Sequence, residues 1–345
     1  MIVARVALPI ALVACAAPPV TLPARPFRDT LAVELRVAGQ VHDGVIDSGA
    51  PWLALDPGAF GAVAGAAMVG PVQVRGRIQR LPICGAACRA LPAAAIPLVA
   101  LAPRVTLDYR ARQVRLGGPD PRGDVVPARL LAGSRFVVDA TIEGERVHAL
   151  VDTGSSAVIV RRRRMAALLG DGRPSLATRT TSGLGPSTGT IARARSVELG
   201  AARSLDVPVE ATATMDAFMD GVSRETGVQI DALIGGSFLR DYAVTFEPSR
   251  LVVVAAPGDP LDDAFQRAPI ALEPMPDGRY RIARAEPAEL AGGVLVSVDG
   301  RPLAGLDLER AERTLRGPVG TPHRLVVETA AGATVGAVVR VVRVP

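Results

Sequence analysis

Compared with itself at an offset of 105 residues, the chain gives an ungapped match, and this internal repeat constrains the fold more than any other feature. Val33-Glu-Leu-Arg-Val-Ala-Gly39 lies over Val138-Asp-Ala-Thr-Ile-Glu-Gly144. Gly44-Val-Ile-Asp47-Ser48-Gly49-Ala50 then lies over Ala149-Leu-Val-Asp152-Thr153-Gly154-Ser155. In each copy the alternating apolar residues predict a strand, Gly39 or Gly144 a hairpin turn, and a second strand that ends on the acid. The far ends also correspond: Val105 to Leu116 and Val244 to Val254 each read as strand, polar turn, strand. Asp47 and Asp152 therefore occupy one structural position in two copies of a small β-unit. The copies are unequal, with 58 residues from Asp47 to Val105 against 92 from Asp152 to Val244.

Two carboxyls related by a pseudo-twofold axis can share one proton, so that one serves as base and the other as acid. The doubled pattern, two apolar residues and then Asp-Thr/Ser-Gly-Ala/Ser, resembles the signature of aspartic proteases, and in particular the retropepsin-like type of bacteria. Asp231-Ala-Leu-Ile234-Gly235-Gly-Ser-Phe-Leu239 resembles the family segment that buttresses the active-site loop. The resemblance implies a mainly β fold with two pseudo-symmetric retropepsin-like β-barrel lobes, residues 31–120 and 121–258. It implies that Asp47 and Asp152 bind and activate one water for peptide-bond hydrolysis, with no cofactor, metal or covalent intermediate. It further implies that the Ser48 and Thr153 hydroxyls lock the two loops, and that Gly49 and Gly154 permit close backbone approach. In copy one Ile96-Pro-Leu-Val-Ala-Leu101 stands where the Ile234-Gly235 counterpart is sought. Thr181 to Gly189 is the better candidate for a substrate-covering flap. Because Ala50 replaces the hydroxyl that Ser155 carries, fewer donors to a charged carboxylate and a less acidic working range are expected. A scaffold that keeps the fold without catalysis, or a dyad assembled between two chains, are the alternatives.

Charge does not point to nucleic acid. The net charge is +5, but the 39 basic residues are all Arg and are spread along the chain, and the one block, Arg161 to Arg164, lacks interleaved aromatics and reads as a solvated patch. Residues 1–14 read as an export signal, and Leu12-Val-Ala-Cys15 resembles the lipobox in which Cys15 is acylated, with 15–30 as a linker behind it. A periplasmic lipoprotein held by its lipid is expected, or a secreted or periplasmic protein if ordinary cleavage prevails. Export makes a disulfide between Cys84 and Cys88 plausible, and the three His stand in no zinc-like or nucleophile-base spacing. Beyond Pro257-Gly-Asp-Pro260, read as a linker, residues 266–345 turn to short strands and one helix over Leu308 to Leu315. Their strand, turn and helix order resembles a small PDZ-like α+β domain, which implies capture of a peptide C-terminus or packing against the lobes.

Overall fold

The computed structural model describes residues 18–61, 65–84, 91–131, 134–182, 185–255 and 266–343. Cys15, Cys88, Gly183 and the Pro257–Pro260 segment lie outside them. Copy one contains β1 (Val20–Pro23), β2 (Arg25–Phe27), β3 (Thr30–Val37), β4 (Gln40–Asp47), β5 (Leu53–Leu55), α1 (Pro57–Phe60), β6 (Ala67–Val69), β7 (Val72–Gln73), β8 (Ile78–Arg80), β9 (Ala94–Pro97), β10 (Val105–Asp108) and β11 (Gln113–Leu116). Copy two contains β12 (Asp124–Leu131), β13 (Arg135–Ile142), β14 (Glu145–Val151), β15 (Val158–Val160), α2 (Arg162–Gly170), β16 (Leu176–Ser182), β17 (Gly185–Leu199), β18 (Ala202–Thr212), α3 (Ala213–Thr226), β19 (Ala232–Ile234), α4 (Gly236–Leu239), β20 (Tyr242–Glu247) and β21 (Arg250–Ala255).

The two copies use one pairing scheme. Ala38-Gly39 and Glu143-Gly144 all take positive φ (47°, 85°, 56° and 79°), which makes each a two-residue hairpin turn whose twist suits the strands it joins. The acid-bearing strand then pairs in parallel with a later strand, β4 with β9 and β14 with β19. The strand after the acid loop runs antiparallel to that same partner, β5 to β9 and β15 to β19. It also pairs in parallel with the strand that precedes that partner in the chain, β5 with β8 and β15 with β18. The added length of copy two goes into the long β16–β17 hairpin, which carries the flap candidate, and into α3. The spacing of Met215, Phe218, Met219 and Val222 predicts a short helix packed on the sheet, and Met215, Met219 and Val222 are its buried residues.

The closing hairpins of the copies meet. β10 pairs with β20, placing Val105 opposite Phe246 and Thr106 opposite Thr245, so that β1, β11, β10, β20, β21 and β12 run as consecutive strands of one sheet. One apolar cluster from Leu22 to Val253 draws on buried residues of both copies, and a smaller one joins α3 to Val137, Leu150, Ile159 and Leu233 of copy two. The segment read as a linker, 15–30, is corrected here: β1 pairs with β11 and β2 with β3. These strands are short and Pro-interrupted, with Leu22 the buried position of β1, so periodicity had nothing to register. In the Arg block, read as a solvated patch, Arg162 and Arg163 are exposed, and the reading is corrected at Arg161. Arg161 is buried, with its guanidinium on the Ile230 carbonyl at 2.6 and 2.9 Å and on Asp220 at 2.6 Å. Arg162, Arg163 and Arg164 pair with Asp216, Asp231 and Glu145.

The remaining chain forms β22 (Gln266–Arg267), β23 (Ile270–Pro274), β24 (Tyr280–Ala285), β25 (Val294–Val298), β26 (Arg301–Pro302), α5 (Leu308–Arg313), β27 (Pro322–Glu328), β28 (Thr334–Arg340) and β29 (Val342–Arg343) around an apolar cluster of its own. It docks on copy one, where Arg28 donates its backbone N–H to Glu309 at 2.6 Å and its guanidinium pairs with buried Glu312 at 3.2 Å. Leu91 packs against both clusters. Among the described residues no helix is long and apolar enough to cross a membrane.

One contact in the central sheet gives a sharp test. The buried Thr106 and Thr245 hydroxyls bond each other at 2.8 Å across the β10–β20 pair. Thr106→Val strands one buried hydroxyl and is expected to lower stability by about 1–3 kcal/mol, whereas the Thr106→Val/Thr245→Val pair is expected to return close to the parent. Urea unfolding of the three variants reads this directly.

Candidate functional site

The acids are delivered by strand ends. Asp47 is the last residue of β4, and Asp152 follows β14 with its N–H donating to the Ile234 carbonyl at 3.0 Å. Between them runs a reciprocal set of four buried hydrogen bonds. The Ser48 N–H donates to Thr153 Oγ1 at 3.0 Å, and the Thr153 N–H donates to Ser48 Oγ at 3.0 Å. Each hydroxyl then donates across to the opposite strand, Ser48 Oγ to the Val151 carbonyl at 2.6 Å and Thr153 Oγ1 to the Ile46 carbonyl at 2.7 Å. A short hydroxyl side chain is needed twice, because each must accept from one backbone and donate to the other.

The glycines set how closely the carboxyls approach. A Cβ on Gly49 would stand 3.1 Å from the Asp152 carboxyl carbon, and one on Gly154 would stand 2.5 Å from that of Asp47. Each acid thus packs on the other copy's glycine. Gly235 is required for a different contact: its Cβ would lie 2.1 Å from the Ala157 carbonyl. In copy one Asp47 pairs with Pro97, the register position that Gly235 holds in copy two, and a 3-10 turn over Leu98–Ala100 stands in place of α4. The Ile234-Gly235 counterpart is therefore Ile96-Pro97. The glycine signal is absent there because a proline opens the short turn.

The electrostatics are unequal. Burial raises both carboxyls above the ordinary range. Against this, Asp47 Oδ1 accepts from the Gly49 and Ala50 amides at 2.7 and 3.0 Å, which favours its charged form. Burial, followed by the neighbouring Asp47 charge, pushes Asp152 up to about 8, while the Gly154 amide donates to it at 3.0 Å. The hydrogen bond between the two carboxyls lowers Asp47 and raises Asp152. The expected Ser155 effect is corrected: its hydroxyl donates to the Ala157 carbonyl at 2.9 Å, and each carboxyl receives the two backbone amides of its own loop, so the Ala50/Ser155 difference does not set the two acids apart.

Two neighbours were not singled out by sequence reasoning. Tyr109 follows β10 with a buried phenol, whose proton is held more tightly by burial and by the Asp152 charge. Arg135 opens β13 and acts on Asp47. Only Arg135 had a signal, a charge where the repeat places Thr30. Cys84 is disulfide-bonded, and its N–H donates to Asp56 at 2.7 Å, far along copy one from the acids. Among the described residues no group of three or more His, Cys, Asp or Glu is placed to hold a metal.

The raised Asp152 carboxyl has a consequence for stability. Its unfolded value is near 3.8 and its folded value about 8, so through that window the folded state holds a proton that the unfolded chain has lost. Stability therefore falls as pH rises from 4 to 8. Asp152→Asn removes most of that loss. By thermal denaturation the variant is expected to match the parent within about 1 °C at pH 4 and to melt several degrees above it at pH 8.

Residues 138–238 match the family model described as aspartyl protease. No curated protein matches the chain. A crystal structure of a retropepsin-like aspartic protease from Rickettsia conorii is 16% identical, covers 37% of this chain and 86% of that one, and superposes with a TM-score of 0.26, too loosely to bear on the site. At the family level, then, residues 138–238, which contain Asp152, Thr153, Gly154, Ile234 and Gly235, are similar to aspartyl proteases.

Proposed function

We propose that the protein is an aspartic endopeptidase in which Asp47 and Asp152 bind and activate one water. The observation that carries this reading is that the two acids, from one chain, face each other across the Ser48–Thr153 lock with each carboxyl on the opposite glycine. Two such carboxyls cannot both ionise cheaply in a half-buried site, so the pair holds one proton and one charge. The charged member takes a proton from water, and the neutral member donates to the scissile carbonyl. The substrate is a peptide or protein, lying extended beside the β16–β17 hairpin and pairing with its backbone.

Two further parts of the reading rest on separate observations. We read the protein as exported, acylated at Cys15 or cleaved near it, because a disulfide-bonded Cys84 suits an oxidising compartment. We read residues 266–345 as a PDZ-like unit used for packing rather than for capture of peptide C-termini. What supports packing is that α5 spends Glu309 and Glu312 on Arg28, and that Leu91 joins its apolar cluster.

Cleavage of a mixed library of unfolded peptides over pH 4 to 8 tests the enzyme. Asp47→Asn and Asp152→Asn are each expected to lower the rate by about 10²- to 10⁴-fold. Loss in Asp152→Asn alone would mean a dyad assembled between two chains. A parent inactive at every pH would leave a scaffold that keeps the fold.

A further inference from the structure

Arg28 and Asp29 form the two-residue turn between β2 and β3, where Phe27 pairs with Thr30. Arg28 takes φ of 52°, a left-handed conformation that favours glycine at the first residue of such a turn. At the repeat offset the sequence has Gly133 in its place. What an arginine adds there is contact with the third module. Its N–H donates to Glu309 at 2.6 Å, and Nε and Nη2 donate to Glu312 at 3.3 and 3.2 Å. Both acids are buried on α5 and are fixed from within the module, Glu309 by Arg316 at 3.0 Å and Glu312 by Arg267 at 3.5 Å. A costly backbone conformation persists where its surroundings hold it from several sides, and α5 holds Arg28 by main chain and side chain at once.

The next residue reaches a different unit. Asp29 is buried, and its carboxylate pairs at 3.3 Å with Arg240, the residue that ends α4. Its backbone lies against the same helix, because a Cβ on Gly236 would stand 1.9 Å from the Asp29 carbonyl oxygen. α4 in turn holds the loop of Asp152. The Gly236 N–H donates to the Ser155 carbonyl at 2.8 Å, and the Asp152 N–H donates to the carbonyl of Ile234, just ahead of the helix, at 3.0 Å. From Glu312 to Asp152, every step is thus an ion pair, a hydrogen bond, a close backbone contact or a chain neighbour.

We propose that Arg28 is a positioning residue for Asp152: α5 of the third module fixes Arg28, the turn passes that constraint to Asp29, and Asp29 holds α4 against the Asp152 loop. The effect on turnover rests on the hydrolytic reading above, whereas the brace itself does not. Hydrolysis through a shared proton requires the two carboxyls to be held in register with the water between them. A loosened Asp152 loop therefore slows the chemical step and leaves the grip on substrate nearly as it was. On this reading the third module is a working part of the support beneath the acid pair.

The test uses the full chain with Arg28→Gly, which keeps the turn and removes the side chain, and with Glu312→Gln, which acts from the module. One readout is amide hydrogen exchange at Asp152 and Gly236, with Ala140 in the middle of β13 as reference. Both variants are expected to speed exchange at Asp152 and Gly236 by about tenfold more than at Ala140. On a peptide that the parent cuts, kcat is expected to fall about three- to tenfold with KM changed by less than about twofold. Arg28→Gly/Asp29→Asn is expected to be no worse than Asp29→Asn alone, because both changes act through one route. Exchange that rises equally at all three amides, the mark of a general loss of stability, would overturn the proposal. Unmoved exchange at Asp152 and Gly236, or full additivity in the double variant, would overturn it as well. If Arg28→Gly does not fold, Glu312→Gln decides on the same amides. If no form cuts peptide but the two amides move as expected, the brace stands and the hydrolytic reading falls.

Discussion

The structure depends on one reciprocal arrangement, in which Ser48 and Thr153 each accept from the other's backbone and donate to the carbonyl one residue before the opposite acid. These bonds are buried, so losing one partner would leave donors and acceptors without water to replace it. They tie the ends of β4 and β14 to each other, and the carboxyls inherit that geometry. The β10–β20 pairing supplies the second tie, further from the acids, and makes one continuous sheet of the two closing hairpins.

The copies are equal in scaffold and unequal in detail. Both present the acid from a strand flanked by a parallel partner, yet one partner ends in Ile234-Gly235 and the other in Ile96-Pro97. Asp47 receives the Gly49 and Ala50 amides and an Arg nearby, whereas Asp152 sits beside a buried phenol and a charged neighbour. A duplicated unit thus yields two carboxyls in unequal surroundings. That is what hydrolysis through a shared proton needs, and it arises from the surroundings rather than from the acids themselves.

The third module adds a different constraint. Arg28 is held in a left-handed conformation with φ of 52°, its backbone N–H on Glu309 and its side chain on Glu312. Arg284 reaches the Ala177 carbonyl on β16, and Arg343 reaches Asp206 on β18. The module therefore touches both copies, and the hairpin that carries the flap candidate is among its contacts.

Much of this was legible in the residues. The offset of 105 aligned both acids, both hairpin glycines and both loop hydroxyls, because strand periodicity and a two-residue turn are local properties that repeat whenever the sequence does. The helix at Met215, Met219 and Val222 declared itself by spacing. Other features were not legible. Strands β1 and β2 are too short to show a period, and their pairing is set by partners about 90 and 6 residues away. The burial of Arg161, the role of the Ser155 hydroxyl and the reach of Arg135 depend on which distant groups the fold delivers, and a one-dimensional pattern carries no such distances. Sequence alone determined that two equivalent acids exist and what kind of strand presents each. Only the tertiary structure decided how the two carboxyls face each other and how unequal their surroundings are, because desolvation, amide donors and neighbouring charges act through space.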